Sequence, residues 1–178
     1  LTQYETFNTT SYTYDYYVEV GQLKAGTTYT YDPTTVGTST STHATALGNS
    51  RKLFRDAYGK YIAVHKSSNV FLDYCNNDPP TSGWSSNDLG SSFAVDSGEQ
   101  FGVAAAYDST NDRLMIAWTS SNNFKAARIT FTRSGGSITG YTAGSVLSIT
   151  PTYVVAHAPS LWMLHNGEVA AVWGSDKV

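Results

Sequence analysis

Hydrophobic and polar residues follow the same order in three stretches of the chain. Each has an apolar segment of strand length, a short polar turn, a second apolar segment that ends at a ring, and then small polar residues. The stretches are residues 53–69, 105–122 and 159–175. Their ring residues, His65, Trp118 and Trp173, are 53 and 55 positions apart. Short apolar segments around polar turns predict β-hairpins, and the near-constant spacing predicts a repeated unit.

Two further apolar segments follow the hairpin in the first two units. They are residues 70–74 and 92–95 in the first unit, and residues 126–131 and 144–149 in the second. Four short strands in a repeat of this length are typical of one β-propeller blade. We therefore predict an all-β fold with β-propeller-like repeats of four-stranded antiparallel blades. Residues 51–178 hold about two and a half blades, which indicates a partial propeller.

The start of the chain has a different composition from the repeats. Residues 1–36 are rich in tyrosine and threonine, and residues 13–20 and 27–33 predict an N-terminal β-hairpin. Residues 37–50 contain mostly Gly, Ser, Thr and Ala, which predicts a linker. Residues 174–178 would leave an open strand edge. The strand at 12–20, a neighbouring copy, or sequence outside this chain could pair with that edge.

Composition favours an extracellular domain. Of the 178 residues, 40% are hydrophobic and 14% are charged, whereas about a quarter are charged in ordinary soluble domains. The net charge of −3 without a basic run makes nucleic acid a poor partner, and no apolar run has the ~18 residues of a membrane span. We expect a secreted or cell-surface protein. Asn8 begins an Asn-Thr-Thr triplet that is either a glycosylation site or accidental.

One segment of the first unit resembles a known family. Residues 53–64 and 70–85 resemble a blade of the sialidase-like propellers, which carry Asp-box (BNR) repeats of the form Ser-x-Asp-x-Gly-x-Thr-Trp. The residues that match this motif are Asn76, Asn77, Asp78, Gly83 and Trp84. The resemblance implies a structural turn between the third and fourth strands. There the Asp78 carboxylate would accept backbone N–H groups and Trp84 would pack beneath the turn.

The same resemblance implies a catalytic set of an arginine cluster, a Tyr–Glu pair and an aspartate acid. The guanidinium group suits this role because it binds a carboxylate through two parallel hydrogen bonds. The catalytic candidates in this chain are Arg55, Asp56, Arg113 and Arg128, and Asp108 and Glu99 are further carboxylates. The alternative interpretation is that Asp56 and Asp108 end hairpins and that the arginines are solvated.

Other chemistry has less support in the sequence. His43, His65, His157 and His165 lack metal-site spacing, so we predict no metal and no cofactor. Cys75 is the single cysteine and is either a buried apolar residue or a thiol for a partner chain.

Three functions follow from these observations. The leading hypothesis is recognition of glycans or of a cell-surface partner, because aromatic rings stack on sugars and hydroxyls and amides bind them. The first alternative is a glycoside hydrolase of the exo-sialidase type, of which this chain is a fragment. The second alternative is a secreted structural protein that assembles with copies of itself by strand exchange.

Overall fold

The computed structural model describes residues 14–17, 35–41, 52–97, 101–150, 154–155, 157–164 and 167–176. These residues form an all-β structure, as the sequence predicts. The strands are β1 (Tyr14–Tyr17), β2 (Thr35–Ser39), β3 (Leu53–Arg55), β4 (Tyr61–Lys66), β5 (Val70–Cys75), β6 (Trp84–Asp88), β7 (Val103–Asp108), β8 (Arg113–Ser120), β9 (Asn123–Ser134), β10 (Ser137–Ala143), β11 (Leu147–Ile149), β12 (Val154–Val155), β13 (Ser160–Met163), β14 (Val169–Val172) and β15 (Ser175–Asp176). Over these ranges, no helix has the length and apolar character to cross a membrane.

Strands β3 to β6 form the first sheet, an antiparallel meander in chain order. Strands β7 to β10 form the second sheet in the same way. Strand β11 continues along β9 beyond β10. Gly144 lies in the gap between β10 and β11, and its N–H donates to the Arg128 carbonyl at 2.8 Å. A Cβ atom there would lie 3.2 Å from the same oxygen, so glycine allows this close approach.

The two sheets share one apolar core. The first sheet contributes residues such as Ile62 and Leu72, and the second contributes Leu114, Ile116 and Trp118, all with 0% exposure. The opposite face of the second sheet is also buried, because alternate residues of its strands belong to a second core with Leu161 of β13. The second sheet therefore lies between the first sheet and the β13–β14 hairpin.

The β1–β2 hairpin covers the other side of the first sheet. Gly37 of β2 lies so close that a Cβ atom would be 2.9 Å from Cε1 of His65 and 3.0 Å from Oδ2 of Asp73. Glycine is required at this position for that reason alone, without any unusual backbone angle. Most of the described residues thus form four stacked β layers: the β1–β2 hairpin, the first sheet, the second sheet and the β13–β14 hairpin. We call the β13–β14 hairpin the third layer, because it follows the first and second sheets along the stack. The separate β12–β15 pair contacts β9.

Several predicted strands are confirmed. The hairpins of the three repeated stretches correspond to β3–β4, β7–β8 and β13–β14, and the third strands correspond to β5 and β9. Each of the first two units forms a four-stranded antiparallel layer. None of the sheets closes on itself, and a propeller stays a prediction.

The fourth strand of the first unit lies elsewhere than predicted. It is β6, and residues 91–93, which overlap the start of the strand predicted at 92–95, form one 3-10 turn. Gly90 has a φ of 86°, which ends the extended backbone, and its N–H donates to Asp88 Oδ1. Phe93 then turns inward and stacks on Trp118, with ring centroids 5.1 Å apart. Phe93 is apolar because its ring fills the core, and not because it belongs to a strand. In the second unit β10 was missed, and β11 forms only the last part of the predicted strand.

The partners of the N-terminal and C-terminal strands also differ from expectation. Strand β1 pairs with β2, which crosses the predicted boundary between residues 1–36 and the linker 37–50. Strand β15 pairs with β12, and among the described residues β1 pairs with β2 and not with β15. The predicted strand at 27–33 lies outside the described residues.

Candidate functional site

The antiparallel order places turns of different sheets at the same end of the stack. The turns that follow the first and third strands of each sheet form one end, which we call the charged end. Asp56, Asp108, Asp112, Arg113 and Arg133 lie there. The turns that follow the second strands, together with residues 89–97, form the opposite end. We call it the polar end because its exposed side chains include hydroxyls and amides.

Arg133 joins the two sheets at the charged end. Its Nη2 lies 2.7 Å from Oδ2 of Asp56 in the β3–β4 turn, and its Nε lies 2.5 Å from Oδ2 of Asp112 in the β7–β8 turn. Its Nη1 donates to the Gly136 carbonyl. The Tyr58 ring covers the guanidinium with its centroid 4.5 Å from Cζ. Because these contacts engage all three guanidinium nitrogens, Arg133 serves as a structural bridge.

Asp56 and Asp108 have equivalent positions in the two sheets. Oδ1 of Asp56 accepts the N–H groups of Tyr58 and Lys60. Oδ1 of Asp108 accepts those of Thr110 and Asn111. Both aspartates hold a hairpin turn closed, as the alternative interpretation of the sequence proposed.

Arg113 extends the charged end to the third layer. Its Nε donates to Oδ2 of Asp108 at 2.8 Å, and its Nη2 donates to the carbonyl of Gly167 in the β13–β14 turn. One chain of ion pairs and hydrogen bonds thus follows the turns of the second sheet and the third hairpin.

The turn between β5 and β6 has the location that the family resemblance implies. The Asp78 carboxylate accepts hydrogen bonds from Arg55 at 2.5 Å and from the Tyr61 hydroxyl at 3.0 Å, so its partners here are side chains. Nε1 of Trp84 donates to the Pro80 carbonyl, and Gly83 adopts a φ of 79°. The contacts hold the turn, but they differ from the backbone contacts expected of an Asp box.

The structure does not gather the catalytic candidates into one site. Arg55 pairs with Asp78, Asp56 with Arg133, and Arg113 with Asp108, while Arg128 is exposed on β9. The other candidates, Glu99 and the glycosylation candidate Asn8, lie outside the described residues. Sequence reasoning missed Arg133, because nothing in its local sequence indicates its two distant carboxylates.

The charge state of the carboxylates also favours a structural role. Burial alone would raise the pKa of Asp108, but hydrogen bonds from Asn111, the backbone and Arg113 outweigh it and lower the pKa. Burial would also raise the pKa of Asp112, but hydrogen bonds from Arg133 and Tyr107 outweigh burial and lower this pKa. A glycosidase acid needs a raised pKa so that it stays protonated near neutrality. These two aspartates have the opposite property.

The polar end is continuous across the layers. Residues 93–96 link the two sheets, because the Val95 N–H donates to the Ser68 carbonyl and the Asp96 N–H to the Thr119 carbonyl. On one side, Oγ1 of Thr40 lies 2.9 Å from Oγ of Ser67. On the other, Oγ1 of Thr119 donates to the His157 carbonyl. Hydrogen bonds thus connect this end from β2 to the segment that precedes β13.

The β8–β9 turn at this end has an unusual backbone. Ser121 and Asn122 both have left-handed φ values, 53° and 61°, in a two-residue hairpin turn. Such turns normally contain glycine, because a side chain in this region costs about 1 kcal/mol or more. The Asp96 carboxylate accepts the N–H groups of both residues, at 2.8 and 3.4 Å. Asp96 therefore holds the backbone of a turn that carries an exposed hydroxyl and an exposed amide.

A repeated tripeptide marks the polar end in the sequence. Ser67-Ser68-Asn69 follows the ring residue His65 and its neighbour, and Ser120-Ser121-Asn122 follows Trp118 in the same way. Nδ2 of Asn69 donates to both carboxylate oxygens of Asp88. This repetition was a signal that sequence reasoning could have used, since hydroxyl and amide residues recur at one end of each unit.

Among the described residues, no group of three or more His, Cys, Asp or Glu side chains is placed to hold a metal ion. Cys75 is buried, and its thiol lies 3.1 Å from the Ser82 carbonyl. Comparison with protein-family models, with curated proteins and with solved structures finds no match to this chain. The sialidase-like family stays a prediction, and the site has to be interpreted from its own geometry.

Proposed function

We propose that this chain is a non-catalytic β-repeat domain that recognises uncharged glycans at its polar end. The observation that carries the proposal is the Ser121–Asn122 turn, in which two left-handed residues are held by Asp96. Strained backbone that persists because its surroundings hold it is concentrated at binding sites. The strain here presents hydrogen-bonding side chains to solvent without any contribution to the core.

The chemistry of the polar end suits sugar hydroxyls. An amide such as that of Asn122 both donates and accepts, and serine and threonine hydroxyls do the same. Three acidic or basic side chains lie nearby: Asp96 is engaged by backbone N–H groups, Asp88 by the Asn69 amide and the Gly90 N–H, and Lys66 is only 2% exposed. Burial lowers the pKa of Lys66, and the attraction of Asp96 opposes this change. The exposed donors and acceptors that remain are mainly neutral, which favours neutral sugars over acidic ones.

A role in carbohydrate recognition agrees with the scarcity of charge on this chain and with its expected extracellular location. The all-β layers provide a scaffold for such a binding site. The hydrolase alternative has no comparable support, because the candidate carboxylates at the charged end hold turns.

The test uses the whole chain on a glycan array, followed by titration with the best neutral glycan. Asn122→Gly removes the amide but keeps the left-handed backbone, because glycine adopts it freely. Loss of one or two neutral hydrogen bonds predicts binding weaker by about tenfold. Thr139→Ala, an exposed position on β10 near the charged end, is the matched control and leaves binding unchanged.

Salt provides an independent readout. Because the recognising groups are uncharged, the dissociation constant stays constant as the NaCl concentration rises. No binding to any neutral glycan, equal binding by Asn122→Gly and wild type, or a strong loss of affinity in salt would each contradict the proposal.

A further inference from the structure

The third layer has two described strands, half as many as the first sheet. The second strands of the two sheets, β4 and β8, are paired along both edges, whereas β14 is paired only with β13 in the part of the chain that the structure describes. The backbone bond from the Leu164 N–H to the Glu168 carbonyl sets the alternation along the hairpin. It directs the N–H and C=O groups of Val169 and Ala171 to the outer edge of β14. This edge is suited to accept another strand.

Exposed apolar residues of β11 lie on the part of the second sheet that a four-stranded third layer would cover. Leu147 and Ile149 of β11 are 56% and 38% exposed. They pair with Ala126 and Phe124, which face the third layer, so their side chains lie on that face of the second sheet. The β13–β14 hairpin packs mainly on the first two strands of this sheet, and Trp173, which follows β14, stacks on Phe124 of β9. Two further strands beside β14 would cover Leu147 and Ile149.

The β1–β2 layer at the opposite side of the stack is also two-stranded, but it lies over the outer strands of its neighbouring sheet and not over the first two strands. Strand β2 contacts β4 and β6, and Gly37 lies against Asp73 of β5. The β1–β2 hairpin therefore covers the outer strands of the first sheet. Within the part of the chain that the structure describes, the contacts of this hairpin are with β4 to β6, and Leu53 of β3 and Ala63 of β4 are half-buried on the same face.

We propose that this chain associates head to tail with a second copy. The β1–β2 hairpin of one copy pairs with the open edge of β14 in the other, and together they form one four-stranded layer between the second sheet of one copy and the first sheet of the next. In this layer the β13–β14 hairpin occupies the position of the first two strands of a sheet, and the β1–β2 hairpin occupies the position of the third and fourth strands. The inference is independent of glycan binding, because the polar end lies at the ends of the strands.

The exposed face of the β13–β14 hairpin supports this partner. Trp162 is 73% exposed and Val172 is 70% exposed, and both lie on the side that faces away from the second sheet. In the proposed assembly this side packs against Leu53 and Ala63 of the second copy. The contact joins two different surfaces, so it repeats from copy to copy and produces a ring or a filament.

The experiment measures the mass of the whole chain in solution by sedimentation over a wide range of concentration. Ala171→Pro removes an outward N–H from β14 but leaves the bonds to β13 in place. Trp162→Ser removes the largest exposed apolar side chain. Loss of a ladder hydrogen bond predicts association weaker by about tenfold for Ala171→Pro. Tyr58→Ser, at a 54% exposed tyrosine of the charged end, is the control and assembles like wild type.

A mixing experiment tests the head-to-tail arrangement itself. Gly37→Ala displaces β2 and so impairs the β1–β2 surface, whereas Ala171→Pro impairs the open edge of β14. At concentrations well below the weakened dissociation constants, each variant alone is a monomer, and the mixture forms dimers and nothing larger, because one variant supplies an intact β1–β2 and the other an intact β14. Circular dichroism checks that each variant keeps its β structure. A wild-type chain that is monomeric at every concentration overturns the proposal, as does assembly that Ala171→Pro and Trp162→Ser both leave unchanged.

Discussion

Nδ1 of His65 lies 2.8 Å from Oδ2 of Asp73 beneath strand β2, and the two side chains are only 5% and 0% exposed. The second ring nitrogen of His65, Nε2, lies 3.2 Å from the Thr38 carbonyl. Neither oxygen of Asp73 has a hydrogen bond of regular geometry, and Oδ2 faces the His65 ring across this short contact. This pair attaches the β1–β2 hairpin to the first sheet.

Removal of the histidine is expected to destabilise the fold strongly. His65→Leu leaves the Asp73 carboxylate buried without its partner, which costs about 3 kcal/mol. The double variant His65→Leu/Asp73→Leu removes both polar groups and recovers part of this loss. Urea unfolding of wild type and the two variants measures the difference. A single variant that is as stable as wild type would show that the pair has no stabilising role.

Gly37 is expected to tolerate no side chain, in contrast to another strand glycine. Gly37→Ala places a Cβ atom about as close as 2.9 Å to His65, whereas at Gly140 the nearest atom, Cβ of Thr132, is 4.0 Å away. Since neither glycine has a positive φ, the comparison isolates the steric effect. Thermal unfolding should show a lower midpoint for Gly37→Ala than for Gly140→Ala. Equal midpoints would mean that β2 moves aside without cost.

The charged end is expected to make the fold sensitive to acid. The pKa values of Asp108 and Asp112 are lowered by their hydrogen bonds, against the effect of burial. A lowered folded-state pKa contributes stability above the ordinary pKa of aspartate, about 3.9, and this stability is lost as the pH falls through the folded-state value. Arg133→Gln should therefore reduce the difference in unfolding free energy between pH 5 and pH 3, by about half or less of the wild-type difference. An unchanged pH dependence would exclude Arg133 as the cause.

Lys52 is expected to make the fold more stable in mild alkali. Burial lowers the pKa of Lys52 to about 8. Between this value and the ordinary lysine pKa of about 10.4, the unfolded chain binds the proton and the folded chain does not, so stability rises with pH. Lys52→Met should reduce this rise, because methionine does not titrate, and Lys66, whose pKa burial also lowers, contributes the remainder. Chemical denaturation across this pH range provides the measurement, and a rise as large in Lys52→Met as in wild type assigns it to other groups.

The polar end offers a prediction about the strained turn. Asp96→Ala removes the acceptor of the Ser121 and Asn122 N–H groups, which should cost about 1 to 2 kcal/mol. Hydrogen exchange at these two amides should accelerate more than exchange in the β7–β8 turn, which Asp108 holds separately. Unchanged exchange at Ser121 would show that the turn holds its conformation without Asp96.

Part of this structure follows from the sequence because it depends on neighbouring residues. The alternation of apolar residues and the turn residues predict the three hairpins, since a hairpin requires only adjacent segments. The Asp56 and Asp108 turns are local for the same reason, because each carboxylate bonds N–H groups two to four positions away. The repeat spacing also indicated that the layers would be similar.

Tertiary structure alone decided which distant groups meet. Phe93 has the apolar character of a strand residue, but its ring fills the core against Trp118, and β6 takes the fourth strand position. Arg133 joins aspartates that lie 21 and 77 positions away, and Asp96 reaches the turn at Ser121, 25 positions away. Such contacts depend on how the sheets stack. The side-chain pattern of one strand determines its buried face but carries no information about which partner layer covers that face.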